Sequence, residues 1–231
     1  MTEIAQRNEA GKRRDPRYSR TFSTKEIAGE QHRTYVGGRW DEIGELQRDF
    51  LIAQGLQPAD TLLDVGCGSL RGGVHFVDYL EAGNYYGIDI NANVIAAGYD
   101  SELTDEQRDR LPVENLQATD RFDGDFGVQF DMAIAQSVFT HVSLNNIRLC
   151  MYRVSKVLKP GGRFYATFYE RPPGFPVDGH NRSQFTERNA YWYYRRDLRW
   201  VSRFGRWEFR YIGKWGHPRG QRMIELTRVG D

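Results

Sequence analysis

Apolar residues occur in short runs along the chain, separated by longer stretches in which they recur at helical spacing. Four runs are strong strand candidates and one is weaker; in chain order they are "TLLDVG", "YYGIDI", "ENLQAT" (the weaker one), "FDMAIAQSV" and "RFYATFYE". A run that is apolar at nearly every position predicts a strand covered on both faces, which is typical of a parallel sheet between two helix layers.

The stretches between these runs predict helices. "WDEIGELQRDFLIAQGL" places Ile43, Leu46 and Phe50 on one face, with Asp41 positioned to cap the helix and Gly55 to stop it. Further along, "GGVHFVDYLEAG" places Val74, Val77 and Leu80 on one face. "NANVIAAGYD" is also helical, and "TDEQRDRLP" either extends that helix or forms another.

Two longer helical patterns follow. "SLNNIRLCMYRVSKVLKPGG" is capped by Ser143 and stopped by Pro160 and Gly161, and its buried face consists of Ile147, Met151, Val154 and Leu158. "FTERNAYWYYRRDLRWVSRFG" predicts one long helix with Tyr194, Leu198 and Val201 on one side.

The order of these elements predicts the fold class. Strands that alternate with helices form a parallel sheet with right-handed crossovers. The last two strands, "WEFRYIG" and "QRMIELTRV", are joined by a connection too short for a helix, which indicates an antiparallel hairpin. We therefore expect an α/β, doubly wound, mostly parallel seven-stranded sheet with a C-terminal antiparallel strand, in a single domain over residues 40–231.

Residues 1–39 lack this periodicity. They are polar and basic, with Lys12, Arg13, Arg14, Arg17 and Arg20 grouped together, and they predict a flexible basic N-terminal arm with a short helix near "TKEIAGEQ". Two interpretations remain open: a solvated tail, or a lid that orders over a ligand.

Composition narrows the class of protein. The chain has 231 residues, with 32 basic against 31 acidic side chains, and this balance argues against general binding to nucleic acid. Its apolar runs are too short to span a membrane, and its N-terminus has no apolar signal region. The two cysteines, Cys67 and Cys150, are too few for a disulfide framework, so we expect a reducing, cytoplasmic location.

The richest chemistry follows the first strand, in "LLDVGCGSLRGG". Gly66 allows a tight turn, Gly68 lets a ligand approach the backbone, and the helix that follows offers free N–H groups to an anion. Asp89 ends the next strand about 20 residues later, where such folds place a carboxylate on ribose hydroxyls. The spacing is G-x-G-x-x-x-G, with Arg71 at the third glycine position of the dinucleotide fingerprint, which disfavours an NAD-dependent dehydrogenase.

At this point the chain resembles the class I S-adenosylmethionine-dependent methyltransferases. The resemblance rests on "LLDVGCG", "YYGIDI", "FDMAIAQSVFTHV", "LKPGGRF" and the terminal hairpin, and it covers roughly residues 40–231. It implies that the cofactor is S-adenosyl-L-methionine. "GCGSLRGG" with "HPRGQRM" also resembles a bacterial branch associated with glycan and natural-product genes.

The resemblance implies roles for residues of the cofactor site. Asp64, Gly66, Cys67 and Gly68 would form the corner that faces the methionine part, and Asp89 would bind both ribose hydroxyls. Ile90, Asp120 and Phe122 would surround the adenine, and Gln136 would lie near the sulfonium. Structural alternatives remain open: Asp64 as a buried cap, Ile90 as core and Asp120 as a solvated turn. For Arg71, pairing with the methionine carboxylate and pairing with a surface acid are equally open.

Transfer to a hydroxyl needs a base, and His141 in "SVFTHV" is the leading candidate, since imidazole titrates near neutrality. Tyr169 and Glu170 come next, because strand ends line the crevice, although Glu170 could simply pair with Arg171. Asp178 and His180 lie on a loop long enough to cover an acceptor, and His217 is interpreted as structural. The spacing of these side chains matches no established metal site, so we expect no metal.

The acceptor class is inferred from the segment that follows the fourth predicted strand. Families that methylate exocyclic amines of bases carry a polar residue, Pro-Pro and an aromatic there, whereas this chain reads "AQSVF". We therefore expect O-methylation of a small hydroxylated acceptor, preferably a carbohydrate. The main alternative is an RNA methyltransferase, suggested by Trp192, Tyr193, Arg195, Arg196, Arg199 and Trp200. Two other acceptor classes remain open, namely other natural products and lipids. A non-enzymatic, protein-binding role and a homodimeric state also remain open.

Overall fold

The structure is a computed structural model, and it describes residues 2–7, 20–174 and 190–230. The described strands are β1 (Ala5–Arg7), β2 (Leu62–Val65), β3 (Tyr85–Asp89), β4 (Leu116–Thr119), β5 (Phe130–Ala135), β6 (Leu158–Glu170), β7 (Trp192–Tyr193), β8 (Trp207–Lys214) and β9 (Arg222–Arg228). The described helices are α1 (Thr24–Ala28), α2 (Gln31–Tyr35), α3 (Trp40–Ala53), α4 (Gly73–Tyr79), α5 (Ala92–Glu102), α6 (Asp105–Arg110), α7 (Leu144–Val157) and α8 (Arg195–Ser202).

The strands form one twisted sheet in the order β1-β4-β3-β2-β5-β6-β9-β8, with β7 added beside the end of β6. Pairs from β4 to β6 are parallel, whereas β9 runs antiparallel to both β6 and β8. The predicted doubly wound sheet with one reversed C-terminal strand is confirmed. The short strands β1 and β7 add to the seven that the sequence predicts.

Helices cover both faces of the sheet because alternate strand residues point to opposite sides. Leu62 and Ile134 lie in a core shared with α3, α4 and α5, whereas Leu63 and Ala133 lie in a second core with α7 and α8. This arrangement leaves the carboxyl ends of β2, β3, β5 and β6 together at one edge, where such folds bind ligands.

The predicted start of α3 at Trp40 is confirmed and so is its end, but the cap predicted for it is wrong. Arg39, with φ +48°, precedes the helix, and Asp41 lies inside the first turn instead of capping it. Gly55 follows the C-terminus with φ +92°, a conformation that glycine adopts without strain.

The start of α7 is as predicted, because the Ser143 side chain accepts a hydrogen bond from the Asn146 backbone N–H. The predicted stop is wrong. The helix ends at Val157, and Pro160 and Gly161 lie in the irregular first part of β6, beside a bulge in its pairing with β5. The "TDEQRDRLP" segment forms a separate helix, α6, with its own capping box at Thr104.

The long helix predicted near the C-terminus is the largest error. Where this segment is described, Trp192 and Tyr193 form strand β7, and helix α8 spans only Arg195–Ser202. Pairing with the end of β6 explains the change, since it stacks Trp192 on Tyr169 at 4.9 Å between ring centroids. Tertiary packing here outweighs the helical pattern, although Leu198 and Val201 are buried as predicted.

The N-terminal region contains regular structure in its described parts. β1 pairs with β4, and the short helix expected near "TKEIAGEQ" is confirmed as α1, with a capping box between Ser23 and Glu26. In α2, His32 is buried and contacts Glu102 of α5, while Arg33 makes a bidentate ion pair with the same carboxylate. Residues 20–39 therefore pack on the domain.

Candidate functional site at the carboxyl edge of the sheet

The glycine corner begins where β2 ends. The N–H groups of Gly66 and Cys67 both donate to the Ile88 carbonyl on β3, at 2.7 and 3.0 Å. Gly66 and Gly68 have φ values of +77° and +55°, a region that L-residues with side chains rarely adopt. Two positive φ values within three residues turn the chain sharply towards α4.

Asp89 lies at this corner, as predicted. One of its carboxylate oxygens accepts from the Gly68 N–H at 3.1 Å, and the other accepts from the Asn91 N–H at 2.9 Å. Burial raises the pKa of Asp89, and the backbone N–H groups of Asn91, Gly68 and Ile90 partly oppose that effect. Each oxygen keeps a further lone pair with which to accept a hydrogen bond.

Asp64 is buried one residue before the end of β2. Its carboxylate accepts a hydrogen bond from the Tyr85 hydroxyl at 2.9 Å. Burial raises the pKa of Asp64 to about 7, because few solvent or protein dipoles compensate its charge. The side chain is therefore poised between its neutral and charged forms near neutral pH.

Side chains from two other segments lie directly over the glycines. A Cβ on Gly68 would come within 2.8 Å of the Val36 side chain, and a Cβ on Gly66 within 2.4 Å of the Val138 side chain. Val36 follows α2, and Val138 belongs to the loop after β5. The glycines are thus needed for close packing of these two valines as well as for the turn.

Arg71 joins the glycine corner to the N-terminal segment and to β5. Its Nη1 donates to the carbonyl oxygens of Val36 and Gly38, at 3.1 and 2.9 Å, and its Nη2 donates to Gln136 Oε1 at 2.7 Å. Burial lowers the pKa of Arg71 to about 10, and nearby Arg219 contributes to this effect. Its Nε is buried and has no hydrogen-bond partner among the described residues. A buried cation with an unsatisfied donor favours an anionic ligand over a surface acid.

Gln136 and His217 lie next to Arg71, so the structure brings His217 into the site. The Gln136 Nε2 lies 2.9 Å from the His217 Nε2, and the imidazole stacks on Trp215. Burial lowers the pKa of His217 to about 4, with further lowering from Arg219, Arg71 and Arg39. This lowered pKa keeps the histidine neutral at physiological pH.

The three candidate bases have different surroundings. His141 lies in the loop between β5 and α7 with part of its surface exposed, and the protein atoms near its ring lower its pKa by partly displacing water. Tyr169 stacks on Trp192. Glu170 accepts from the Tyr211 hydroxyl and lies 3.6 Å from the Arg222 Nε. The structure thus surrounds Glu170 with fixed partners and leaves His141 more open.

The residues expected around the adenine lie at the ends of β3 and β4. Ile90 is half-buried after Asp89, Asp120 is exposed after β4, and Phe122, with φ +55°, packs against the second core. Cys67 is buried beneath Gly87 and faces the sheet, since a Cβ on Gly87 would come within 3.0 Å of its Sγ. Asp178 and His180 lie outside the described residues.

Within the described ranges, no three His, Cys, Asp or Glu side chains gather as a metal site would require. No helix described by the structure is both long and apolar enough to cross a bilayer.

The sequence analysis missed a cluster formed by Ser137, Thr167 and Gln221. Ser137 follows β5, Thr167 lies in β6 and Gln221 precedes β9, so their proximity depends on the sheet order. Their hydrogen bonds are 2.6 to 2.7 Å long. The only signal in the sequence was their position near the ends of strands.

Comparison with known proteins agrees with this geometry. Residues 63–164 match a family model described as a methyltransferase domain. They contain the glycine corner, Asp89, Gln136 and nearly all of the first four predicted strands. Over residues 63–164 the chain is therefore similar to a methyltransferase domain, and its fold is that of the class I methyltransferases.

Three solved structures illustrate the similarity in fold. CalS10 from Micromonospora echinaspora, an amino pentose methyltransferase with bound S-adenosylmethionine, has a TM-score of 0.62 and 19% identity over 91% of this chain and 99% of CalS10. Streptomyces venezuelae DesVI has a TM-score of 0.64 and 15% identity over 91% of this chain and 100% of DesVI. The magnesium protoporphyrin IX methyltransferase of Synechocystis PCC 6803 has a TM-score of 0.58 and 16% identity over 93% of this chain and 88% of its own.

Proposed function

We propose that this domain binds S-adenosyl-L-methionine and transfers its methyl group to a hydroxyl of a small acceptor, preferably a sugar or oligosaccharide. The observation that carries the donor assignment is the pairing of Asp89 with the Gly68 N–H at the turn after β2. The fold of the domain and its family match support the same reaction.

The residues at the corner fit the donor in chemistry and charge. Asp89 keeps lone pairs for two ribose hydroxyls, and the buried Nε of Arg71 suits the methionine carboxylate. Asp64, when charged, suits the methionine ammonium group. Ile90 and Phe122 would pack against the adenine, Asp120 would lie at its edge, and Gln136 would lie near the sulfonium.

When bound, S-adenosylmethionine supplies a methyl group that a positive sulfur has already activated. The protein then has two tasks: to hold the acceptor oxygen in line behind that methyl group and to take the hydroxyl proton. Alignment alone can contribute on the order of 7–11 kcal/mol. His141 is the proposed base, because its lowered pKa keeps the imidazole unprotonated at neutral pH.

Three observations support a sugar as the acceptor. Trp192, 43% exposed, stacks on Tyr169 at the end of β6, and such a ring pair offers an apolar surface to a sugar face. The amino pentose specificity of CalS10 shows that a domain of this fold can methylate a sugar. Hydroxyl and amide groups of Ser137, Thr167 and Gln221 lie at the same edge.

The proposed function is tested by methyl transfer from radiolabelled S-adenosylmethionine to four probe classes: methyl glycosides, phenols, amines and RNA. We expect label in a methyl ether of a glycoside. Transfer only to RNA, together with strongly salt-dependent RNA binding, would instead establish the RNA alternative. Transfer only to amines would contradict the hydroxyl acceptor.

Donor binding should depend on pH through Asp64. Because its pKa is about 7, the carboxylate becomes charged as pH rises through neutrality, and affinity for S-adenosylmethionine should increase between pH 6 and 8. Folding stability should change in the opposite sense, since a raised carboxyl pKa makes the native state bind protons that the unfolded state releases. Calorimetry of wild type and Asp64→Asn measures both, and the variant should be nearly flat over this range. An equal pH dependence in Asp64→Asn would contradict the assignment.

We further propose that the segment containing α1 and α2 acts as a lid over the donor. Val36 covers Gly68, and the joint before α3 contains Gly37 and Gly38, with φ +102° and +61°. Arg71 and Arg219 hold the carbonyl groups of residues 36–38. Glycines at this joint allow the change in backbone dihedrals that opening requires.

Loosening α2 should therefore speed donor release. Glu102→Gln weakens the ion pair with Arg33 and the contact with buried His32, and we expect the dissociation rate of S-adenosylmethionine to rise by about 10-fold. Glu30→Gln is the matched control, because Glu30 also pairs with Arg33 but in an exposed position, where ion pairs contribute little. Equal rates for both variants in stopped-flow measurements would identify the segment as a passive tail.

A further inference from the structure

Ser137 has an unusual backbone conformation directly after the end of β5. Its φ of +62° lies in the left-handed region. Glycine and asparagine adopt this region most readily, whereas serine rarely does. Such a conformation costs on the order of 1–3 kcal/mol and is maintained by surrounding contacts, most often at functional sites. At Ser137 three side chains provide those contacts.

The direction of the first hydrogen bond follows from Arg71. A guanidinium can only donate, so Gln136 must turn its Oε1 towards Arg71 Nη2, which lies 2.7 Å away. The opposite end of the amide is therefore Nε2, and it donates to Ser137 Oγ at 2.9 Å. Ser137 is the acceptor in this pair.

The direction of the second bond follows from Thr167. Its hydroxyl oxygen accepts from the Ser137 backbone N–H at 2.7 Å, so its proton is free to be donated to Gln221 Oε1, also at 2.7 Å. This orients the Gln221 amide with Nε2 towards Ser137 Oγ, at 2.6 Å. Ser137 is again the acceptor.

Both lone pairs of the Ser137 hydroxyl oxygen are thus used by amide donors. A serine hydroxyl accepts at most two hydrogen bonds and donates one. Among the described residues its contacts account for the two accepted bonds, and its proton remains to be donated. The side chain is half-buried, and the next residue, Val138, packs over Gly66 at the donor corner.

We infer that Ser137 is a positioning residue for the methyl acceptor: its hydroxyl donates a hydrogen bond to an acceptor oxygen. This rests on the proposed function, and it defines the acceptor as a molecule that presents an oxygen lone pair at the carboxyl ends of β5 and β6. The amides of Gln136 and Gln221 fix the direction of the donated proton, because they occupy the other positions around Oγ. Because the strained backbone already holds the hydroxyl in place, the side chain loses little conformational entropy when the acceptor binds.

The test compares Ser137→Gly with Ser137→Ala. Both remove the hydroxyl, but glycine relieves the left-handed backbone whereas alanine keeps the strain, so Ser137→Ala should be the less stable variant. The glycoside on which wild type is most active in the labelled-methyl assay serves as the probe. We expect kcat/KM for this probe to fall by about 10- to 100-fold, equally in both variants, with the Kd for S-adenosylmethionine unchanged.

If Ser137 had a purely structural role, the loss of kcat/KM would parallel the loss of stability. It would then be larger for Ser137→Ala than for Ser137→Gly. That pattern, or wild-type kcat/KM in Ser137→Gly, would overturn the inference while leaving the proposed function intact. If wild type methylates only phenols, the sugar assignment fails, and the same two variants are compared on the phenol. If wild type binds S-adenosylmethionine but methylates no probe that presents an oxygen, both the hydroxyl acceptor and the role of Ser137 are contradicted.

Discussion

Replacing Asp89 with alanine is expected to weaken S-adenosylmethionine binding by about 10²- to 10⁴-fold. The carboxylate is held by two backbone N–H groups at the carboxyl end of β3, with lone pairs left for the ribose hydroxyls. Each hydrogen bond to a charged group contributes on the order of 1.5–3 kcal/mol, and two would be lost together. Isothermal titration calorimetry measures the change directly.

Because Asp89 also accepts from Gly68, its loss could disturb the corner itself. Asp89→Asn is the informative companion, since its amide keeps one acceptor oxygen and nearly the same shape. We expect its affinity to lie between those of wild type and Asp89→Ala, with a melting temperature close to that of wild type. Unchanged affinity in a folded Asp89→Ala protein would refute the ribose assignment and, with it, the proposed cofactor site.

The sequence predicts those parts of the site that depend on short, contiguous patterns of apolar residues, glycines and acids. An apolar run followed by glycines defines both β2 and its turn, and Asp89 ends the next apolar run, β3. In a parallel sheet adjacent strands end at the same edge, so topology alone brings Asp89 to Gly68. No tertiary information was needed for this half of the site.

The acceptor side depends on contacts between distant segments, which periodicity does not report. Ser137, Thr167 and Gln221 meet only because β9 inserts beside β6, and nothing in "AQSV" indicates a left-handed serine. The same reason explains the error at β7: pairing with β6 overrides a helical pattern in the residues before α8. Long-range pairing decides these features, and a single sequence shows it poorly.

Where it is described, the N-terminal segment is packed more closely than its polar, basic composition predicts. A polar, basic stretch without periodicity predicts little packing, yet Phe22 and His32 are buried. Phe22 packs with Val94 and Ala97 of α5, and Glu102 gives His32 a charged partner that lowers the cost of its burial. Composition alone could not reveal this partner on α5.

The remaining prediction concerns the proton that must leave the acceptor. His141→Ala should lower kcat by about 10²- to 10⁴-fold if the imidazole is the base, with the Kd for S-adenosylmethionine unchanged. Single-turnover methyl transfer to the preferred glycoside measures the chemical step. The expectation rests on the position of His141 in the loop after β5 and on the lowered pKa of its ring.

The pH profile distinguishes His141 from the competing carboxylate. Because loss of solvent lowers the pKa of His141, wild-type kcat should be constant at neutral pH and fall only as the ring becomes protonated in more acidic solution. Glu170→Gln is the matched variant, since Glu170 is already engaged by Tyr211 and Arg222. We expect Glu170→Gln to retain most of its activity and the decrease in kcat at acidic pH. We expect His141→Ala to lose most of its activity and to show no such decrease. Loss of activity in Glu170→Gln, with activity retained in His141→Ala, would identify Glu170 as the base. Full activity in both variants would mean that neither side chain is the base and that solvent takes the proton.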